Sequence, residues 1–363
     1  MTGPLEPSLE RSAYVDDSVF ATEVDRIFAP SWCVVARSED VSAAGDYQVV
    51  DLVGESLIVL RGDDVLRAFY NVCRHRGAQL VDPAETPCGQ VGAVLRCPYH
   101  AWSYRRDGSL ARTPFLDGVD ADAHALHAVD VAEWGGFVFV RLDVGGPSLV
   151  EELGAIPERV QRYPLADLRR GARIEYDVAA NWKVIAENYN ECYHCGPVHP
   201  ELCDIVPAFR ANGGAGLDWD SGIAHRDGAW TFTMSGTSER APFPTLDDDE
   251  RVRHKGELVY PNFFLSLAAE HVAAFALFPI DAGRTRIVFD ALFHPSAIAA
   301  DGFDPNDAVQ LWDVTNLQDW AICERVQRGM RSRAWQHGWF APMEDLSLDI
   351  RHWYAQRMGG PSQ

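Results

Sequence analysis

An α+β chain of two domains is the fold the sequence predicts: an all-β domain over about residues 39–150, and a larger domain assembled from residues 1–38 and 151–363 around an antiparallel sheet. Three observations carry the prediction. The length of 363 residues suits two domains at the usual ~150 residues each, and 47% hydrophobic content supplies both cores. Strand-like runs such as Ser56-Leu57-Ile58-Val59-Leu60 and Gly136-Phe137-Val138-Phe139-Val140 bracket two loops rich in Cys and His. Beyond residue 151, helix-compatible segments alternate with short apolar runs holding Trp219, Trp230, Phe263, Phe264, Phe275 and Phe278, which read as antiparallel sheet.

Taken in order, the first segment to about Ser38 reads as helical, with Phe28, Trp32 and Val35 on one apolar face, and is grouped with the larger domain. In the all-β domain, Cys73, His75, Cys97 and His100 form the pattern Cys-x-His…Cys-x-x-His. Two thiolates on one iron and two imidazoles on the other are the ligand set of a Rieske [2Fe–2S] cluster. Neutral imidazole in place of thiolate removes negative charge, which lifts the potential to roughly −150 to +300 mV, against about −400 mV for an all-Cys ferredoxin. Zinc also accepts two Cys and two His, but a zinc finger of that composition places its Cys pair before its His pair, whereas here the types alternate. The stretches Asn71-Val72-Cys73-Arg74-His75-Arg76-Gly77 and Arg96-Cys97-Pro98-Tyr99-His100-Ala101-Trp102 resemble the two cluster-binding loops of Rieske proteins. The 21 residues between His75 and Cys97 exceed the interval of the resembling oxygenases, and the insertion is expected to lengthen a hairpin between the loops. Tyr99 and Trp102 are expected to shield the cluster from water.

Composition narrows the partners. A net charge of −21 argues against nucleic acid or an anionic membrane, because both recruit clustered Lys and Arg. No stretch approaches the roughly 20 apolar residues of a membrane span, and Met1 to Asp17 lacks the basic start and apolar centre of a signal peptide. Eight cysteines in a chain this long do not form a disulfide scaffold, so a reducing, cytoplasmic setting is expected.

In the larger domain, residues 181–194 contain no Pro and read as one helix that sets Glu187, Glu191 and His194 on one face. Gly196-Pro197 is expected to end it, letting His199 swing back toward His194. Two such imidazoles suit iron, zinc or copper, and an added carboxylate makes the facial triad of non-haem Fe(II) oxygenases. Asp304-Pro305 resembles an N-cap followed by Pro at the first helical position, opening a helix to about Ser332. Along it Val309, Trp312, Asn316, Asp319, Cys323, Val326 and Met330 recur at three- and four-residue steps. An ionised acid in such an inward stripe is costly unless paired or bound to metal, which nominates Asp319, with Glu324 second.

The pattern Asn181-Trp182-Lys183…Glu187-Asn188…Glu191-x-x-His194-x4-His199, with Gln318-Asp319-Trp320…Cys323-Glu324…Gln327-Arg328-Gly329, resembles the Rieske non-haem iron oxygenases, α subunit. The resemblance runs from about Phe20 to Tyr354. It implies an antiparallel catalytic sheet gripped by helices, His194, His199 and Asp319 as ligands of Fe(II), and Glu191 linking His194 to the neighbouring subunit's counterpart of His100. Glu at 191, where many members have Asp, is closer to the subgroup that oxidises glycine betaine, stachydrine and carnitine. The implied reaction uses O₂ and electrons from NAD(P)H, relayed by a flavin/iron–sulfur reductase with or without a ferredoxin, to hydroxylate or N-demethylate a small substrate. The implied assembly is a head-to-tail homotrimer. Ring oxidation of an aromatic acid or natural-product scaffold is the alternative reaction; a Rieske electron carrier and a zinc-stabilised binding protein are the alternatives outside that class. An aromatic cage drawn from Trp219 and its neighbours is a further expectation for a quaternary ammonium.

Overall fold

The computed structural model describes residues 6–63 and 65–359; residues 1–5 and 360–363 of the larger expected domain lie outside the described residues. The chain divides into two compact units, Phe28–Glu152, and Met1–Ile27 with Leu153–Gln363.

The first unit is built on β1 (Cys33–Arg37), β2 (Asp46–Leu52), β3 (Glu55–Arg61), β4 (Leu66–Tyr70), β5 (Cys88–Gln90), β6 (Val94–Arg96), β7 (Ser103–Arg105), β8 (Leu110–Arg112), β9 (Ala128–Trp134) and β10 (Phe137–Arg141). Seven strands form one antiparallel sheet in the order β1-β10-β9-β4-β3-β2-β5, and β6-β7-β8 form a second. The helix expected to run to Ser38 stops short of it. Cys33-Val34-Val35-Ala36 is apolar and partly β-branched, is buried throughout, and pairs with β10 as a strand. The insertion between the cluster loops does not lengthen a hairpin; its strand β5 joins the sheet edge, with Gln48 opposite Cys88. Ile58, Leu60, Phe69, Leu95, Trp102 and Tyr104 form a core that includes Cys73 and Cys97.

The second unit carries a six-stranded antiparallel sheet of β11 (Arg169–Val178), β12 (Ile223–Ala224), β13 (Arg253–Val259), β14 (Phe263–Leu267), β15 (His271–Asp281) and β16 (Arg284–Phe293), ordered β11-β16-β15-β14-β13-β12. Its principal helices are α1 (Arg11–Val15), α2 (Asp17–Glu23), α3 (Trp182–Tyr189), α4 (Pro200–Ile205), α5 (Asn306–Met330) and α6 (Asp345–Met358). Tyrosines tie helices to the sheet. Tyr189 of α3 donates to the Leu265 carbonyl at 2.8 Å and stacks on Phe264, while Tyr176 of β11 donates to Asp313 of α5 at 2.8 Å.

Asn181 caps α3, accepting from the Lys183 amide at 3.0 Å and donating to the Ala282 carbonyl at 2.8 Å. The helix ends at Tyr189, five residues before the expected His194. Glu191 takes the His194 backbone N–H at 3.1 Å, and this local bond replaces the helical one. Gly196 and Pro197 do not end that helix; they lie inside a separate short one, Cys195–Val198. In α5, Pro305 sits at the N-cap, one position earlier than expected, and Asp304 accepts from the Asn306 amide at 2.9 Å. The inward face is Ala308, Leu311, Trp312, Thr315, Asn316, Cys323, Gln327 and Met330; Val326 is exposed.

Candidate metal and redox centres

Two loops of the first unit share one backbone device. Cys73 N–H donates to the Ala78 carbonyl and Cys97 N–H to the Trp102 carbonyl, both at 2.8 Å. Four residues on from each cysteine, the N–H of Gly77 and of Ala101 returns to the cysteine carbonyl, at 3.0 and 3.1 Å. Both residues take positive φ, 75° and 61°, which Gly77 adopts freely and Ala101 only under constraint. The paired loops face the two thiols toward one another, so that Cys73 raises the pKa of Cys97 after burial has done so. The His75 and His100 rings lie with centroids 4.7 Å apart. The thiols are buried, His75 is half-buried and His100 is exposed. Two thiols inside and two imidazoles outside match the donor chemistry of a cluster with one Cys-held and one His-held iron. Trp102 is buried and stacks on His75 at 4.8 Å, whereas Tyr99, expected to shield, is 57% exposed against His100. Tyr104 was not foreseen: its hydroxyl accepts from the Arg74 amide at 2.9 Å and lies 3.3 Å from Cys73 Sγ.

The second unit brings together the three predicted donors. His194 Nε2 lies 3.1 Å from His199 Nε2, and Asp319 Oδ1 lies 3.3 and 2.8 Å from those two nitrogens. Ligands about 2.1 Å from one ion at right angles stand about 3 Å apart, so the spacing fits one first-row metal. Each imidazole has an oxygen at its other nitrogen. His194 Nδ1 is 2.5 Å from Glu191 Oε1, and His199 Nδ1 is 2.8 Å from Gln318 Oε1. Those acceptors take the Nδ1 protons and turn both Nε2 lone pairs toward the carboxylate, an arrangement that a cation between them stabilises. Burial pulls the His194 pKa down, but hydrogen bonds to Asp319 and Glu191 outweigh it and push it up to about 11, so Nε2 holds a proton that a bound cation would displace. Asp319 reaches the site from α5 as expected; Glu324 instead accepts from the Ala179 amide at 3.2 Å.

The triad opens on a cavity of about 480 Å³. Of the six aromatics suggested as a cage, only Trp219 lines it; Tyr189, Phe209, Phe232, Tyr260 and Trp312 supply the rest of its aromatic wall. None of these rings lies within a strand; they come from helices and from the segments between elements. Trp312 is pinned: its indole N–H donates to His271 Nε2 at 2.8 Å, and His271 Nδ1 is 2.8 Å from buried Glu270. Glu270 also receives Arg240 and Thr231, and despite burial His271 and Arg240 hold its pKa down to about 2. Gln318 and this chain from Trp312 to Arg240 were missed by sequence reasoning. Adjacency to Asp319 gave no signal for Gln318, because consecutive helical residues point about 100° apart.

Known proteins resemble this chain over both units. Residues 31–125 match the Rieske [2Fe-2S] domain, and residues 165–360 match the ring hydroxylating alpha subunit (catalytic domain). The carnitine monooxygenase oxygenase subunit of Acinetobacter baumannii is 32% identical over 89% of this chain and 85% of its own length. The glycine betaine monooxygenase oxygenase subunit of Chromohalobacter salexigens is 31% identical over 97% and 86%. Among solved structures, a quaternary ammonium Rieske monooxygenase in complex with L-carnitine superposes with a TM-score of 0.78 at 29% identity, covering 98% of this chain and 96% of that one. The chain therefore belongs to the Rieske ring-hydroxylating oxygenases, as an α subunit with a [2Fe–2S] domain and a catalytic domain that binds mononuclear iron.

Proposed function

We propose that the chain is the terminal oxygenase that oxidises an N-methyl carbon of a quaternary ammonium or related N-methyl compound. His194, His199 and Asp319 hold the catalytic iron, Cys73 and Cys97 one iron of the cluster, and His75 and His100 the other. The observation that carries this reading is the convergence of two Nε2 atoms and one carboxylate oxygen within 3.3 Å, on a cavity walled by aromatic rings. When bound, the iron supplies O₂ activation, placing one oxygen atom in a substrate C–H bond while the other leaves as water, with two electrons and two protons consumed.

The chain's own residues supply position. Glu191 and Gln318 fix both imidazoles in the tautomer that offers Nε2. The rings of Trp219, Phe232 and Trp312 in the cavity wall suit an ammonium group by cation–π attraction. Hydroxylation of an N-methyl group gives a carbinolamine, which collapses to formaldehyde and the demethylated amine. Exposure of His100 supports electron passage through the histidine side of the cluster. A flavin/iron–sulfur reductase, with or without a ferredoxin, feeds that cluster from NAD(P)H. In a head-to-tail homotrimer, Glu191 links His194 to His100 of the partner subunit.

Metal analysis of anaerobically purified protein is expected to give about three irons per chain and a reducible visible chromophore. Asp319→Ala should lower the count to about two, keep the chromophore, and abolish substrate-dependent formaldehyde release. Zinc in place of iron, or turnover retained by the variant, would overturn the assignment.

A further inference from the structure

The charges around the cavity are unequal. Glu191, Asp220, Glu257, Asp319 and Asp349 line it, and among the described lining residues the only Arg or Lys is Arg159. That guanidinium is already engaged, its Nε and Nη2 donating to the two carboxylate oxygens of Glu257 at 2.7 and 2.6 Å. Even with a divalent ion on the triad, the acids outnumber the cations. A substrate carboxylate entering here loses water beside other carboxylates and finds no free cation, whereas an ammonium group gains from the same field.

Two lining residues have an unpartnered buried polar atom, Thr315 at Oγ1 and His254 at Nδ1, and of the two His254 packs among the aromatic rings. His254, on β13 and 5% exposed, has a buried Nδ1 with no hydrogen-bond partner. It packs against aromatic cavity residues, with ring centroids 4.0 Å from Phe232, 6.1 Å from Trp312 and 6.5 Å from Trp219. An unpartnered imidazole nitrogen in such surroundings costs free energy that a ligand's polar group can recover. Burial first, then the nearby His225 and His271, hold its pKa well below the usual value, so at neutral pH it offers hydrogen bonding without charge.

We infer that the substrate is a net cation, an N-methyl ammonium compound whose second polar group is an uncharged hydroxyl, ester or amide rather than a free carboxylate, and that His254 receives that group. The inference rests on the reading of the cavity as an N-methyl ammonium site and narrows it, since carnitine and glycine betaine both carry carboxylates. His254 is thereby a specificity-determining residue, distinct from the groups that hold the iron.

Calorimetric titration of the iron-loaded holoenzyme with four probes tests it: choline, glycine betaine, glycine betaine methyl ester and tetramethylammonium. The ester should bind about tenfold or more tightly than the free acid. This comparison needs no variant, so it does not depend on a substituted protein folding. His254→Phe keeps the aromatic wall; it should weaken choline about three- to tenfold and leave tetramethylammonium unchanged. Glycine betaine binding as tightly as its ester would overturn the inference while leaving the ammonium reading intact. Equal effects of His254→Phe on choline and tetramethylammonium would overturn the role of His254. Binding by none of the four would overturn both the inference and the reading beneath it.

Discussion

At the scale of single residues, the proposed metal ligands and the groups that orient them differ in how local they are. Cys73, His75, Cys97 and His100 lie in two short loops, and His194 and His199 are five residues apart. Their orienting partners were not legible, because contact between remote segments leaves no local pattern. Gln318 is 119 positions from His199 and Trp312 is 41 from His271. Gln318 also donates to Glu201 at 3.0 Å, so its amide has both ends engaged and cannot turn freely. Gln318→Leu should therefore weaken iron binding about 10- to 100-fold while sparing the cluster chromophore. Chelator competition on the reduced protein measures this, and unchanged iron retention would show that His199 needs no such partner. Glu187 is a second residue-scale case. Burial is the main cause raising its pKa to about 7, with the charge of Glu344 adding and the Tyr14 hydroxyl and Lys183 opposing. The native state thus keeps a proton that the unfolded chain releases near the ordinary 4.5, so this contribution is complete below 4.5 and lost as pH rises through about 7. Glu187→Gln retains an acceptor for Tyr14, whose hydroxyl lies 2.7 Å away, but has no proton to lose. Melting curves from about pH 5 to 8 should fall more steeply for the natural chain than for the variant; parallel curves would remove Glu187 from the account.

At the scale of elements, periodicity found the long helix and the strands but misjudged where helices end. Apolar spacing does not register that Glu191 will take a backbone N–H and stop α3, or that Cys33–Arg37 will find a strand partner in Phe137–Arg141. The mutual position of α2, α3 and α6 depends on one buried ionic cluster. Lys183 Nζ lies 2.6 Å from Glu23 Oε1, and Trp182 and Tyr354 donate to the same carboxylate at 2.8 and 2.7 Å. Lys183→Met leaves that carboxylate buried without its cation and should cost about 3–5 kcal/mol. Pairing it with Glu23→Gln should recover much of the loss, since no ion is then stranded. Chemical denaturation of the two variants distinguishes an ionic cause from simple loss of packing, for which the second change adds damage instead of relief.

At the scale of the whole molecule, the resemblance motifs and the two units describe a chain in which electron storage and oxygen chemistry occupy separate folds, each with its own sheet. Among the described residues no helix is long and apolar enough to cross a membrane. If electrons pass only between subunits of a head-to-tail ring, the two functions can be divided between chains. Co-expressed Asp319→Ala and Cys97→Ser chains, each inactive alone, should then assemble hybrid trimers with about one site in three competent, since a working iron needs a neighbour with a working cluster. Turnover assays on the isolated hybrids check this, and complete inactivity would mean that each chain must serve itself.

The helix Asn306–Met330 sets Trp312 and Thr315 in the cavity wall and Asp319 at the triad, the first and last two turns apart along one rod. Selection for a roomier or tighter cavity at those wall positions therefore also acts on the mounting of the iron. Attempts to retarget the enzyme by redesigning that wall will meet a trade-off between substrate scope and metal retention. Even Phe232, which stands on a different segment, stacks on Trp312 with ring centroids 5.4 Å apart, so a change there reaches the same rod.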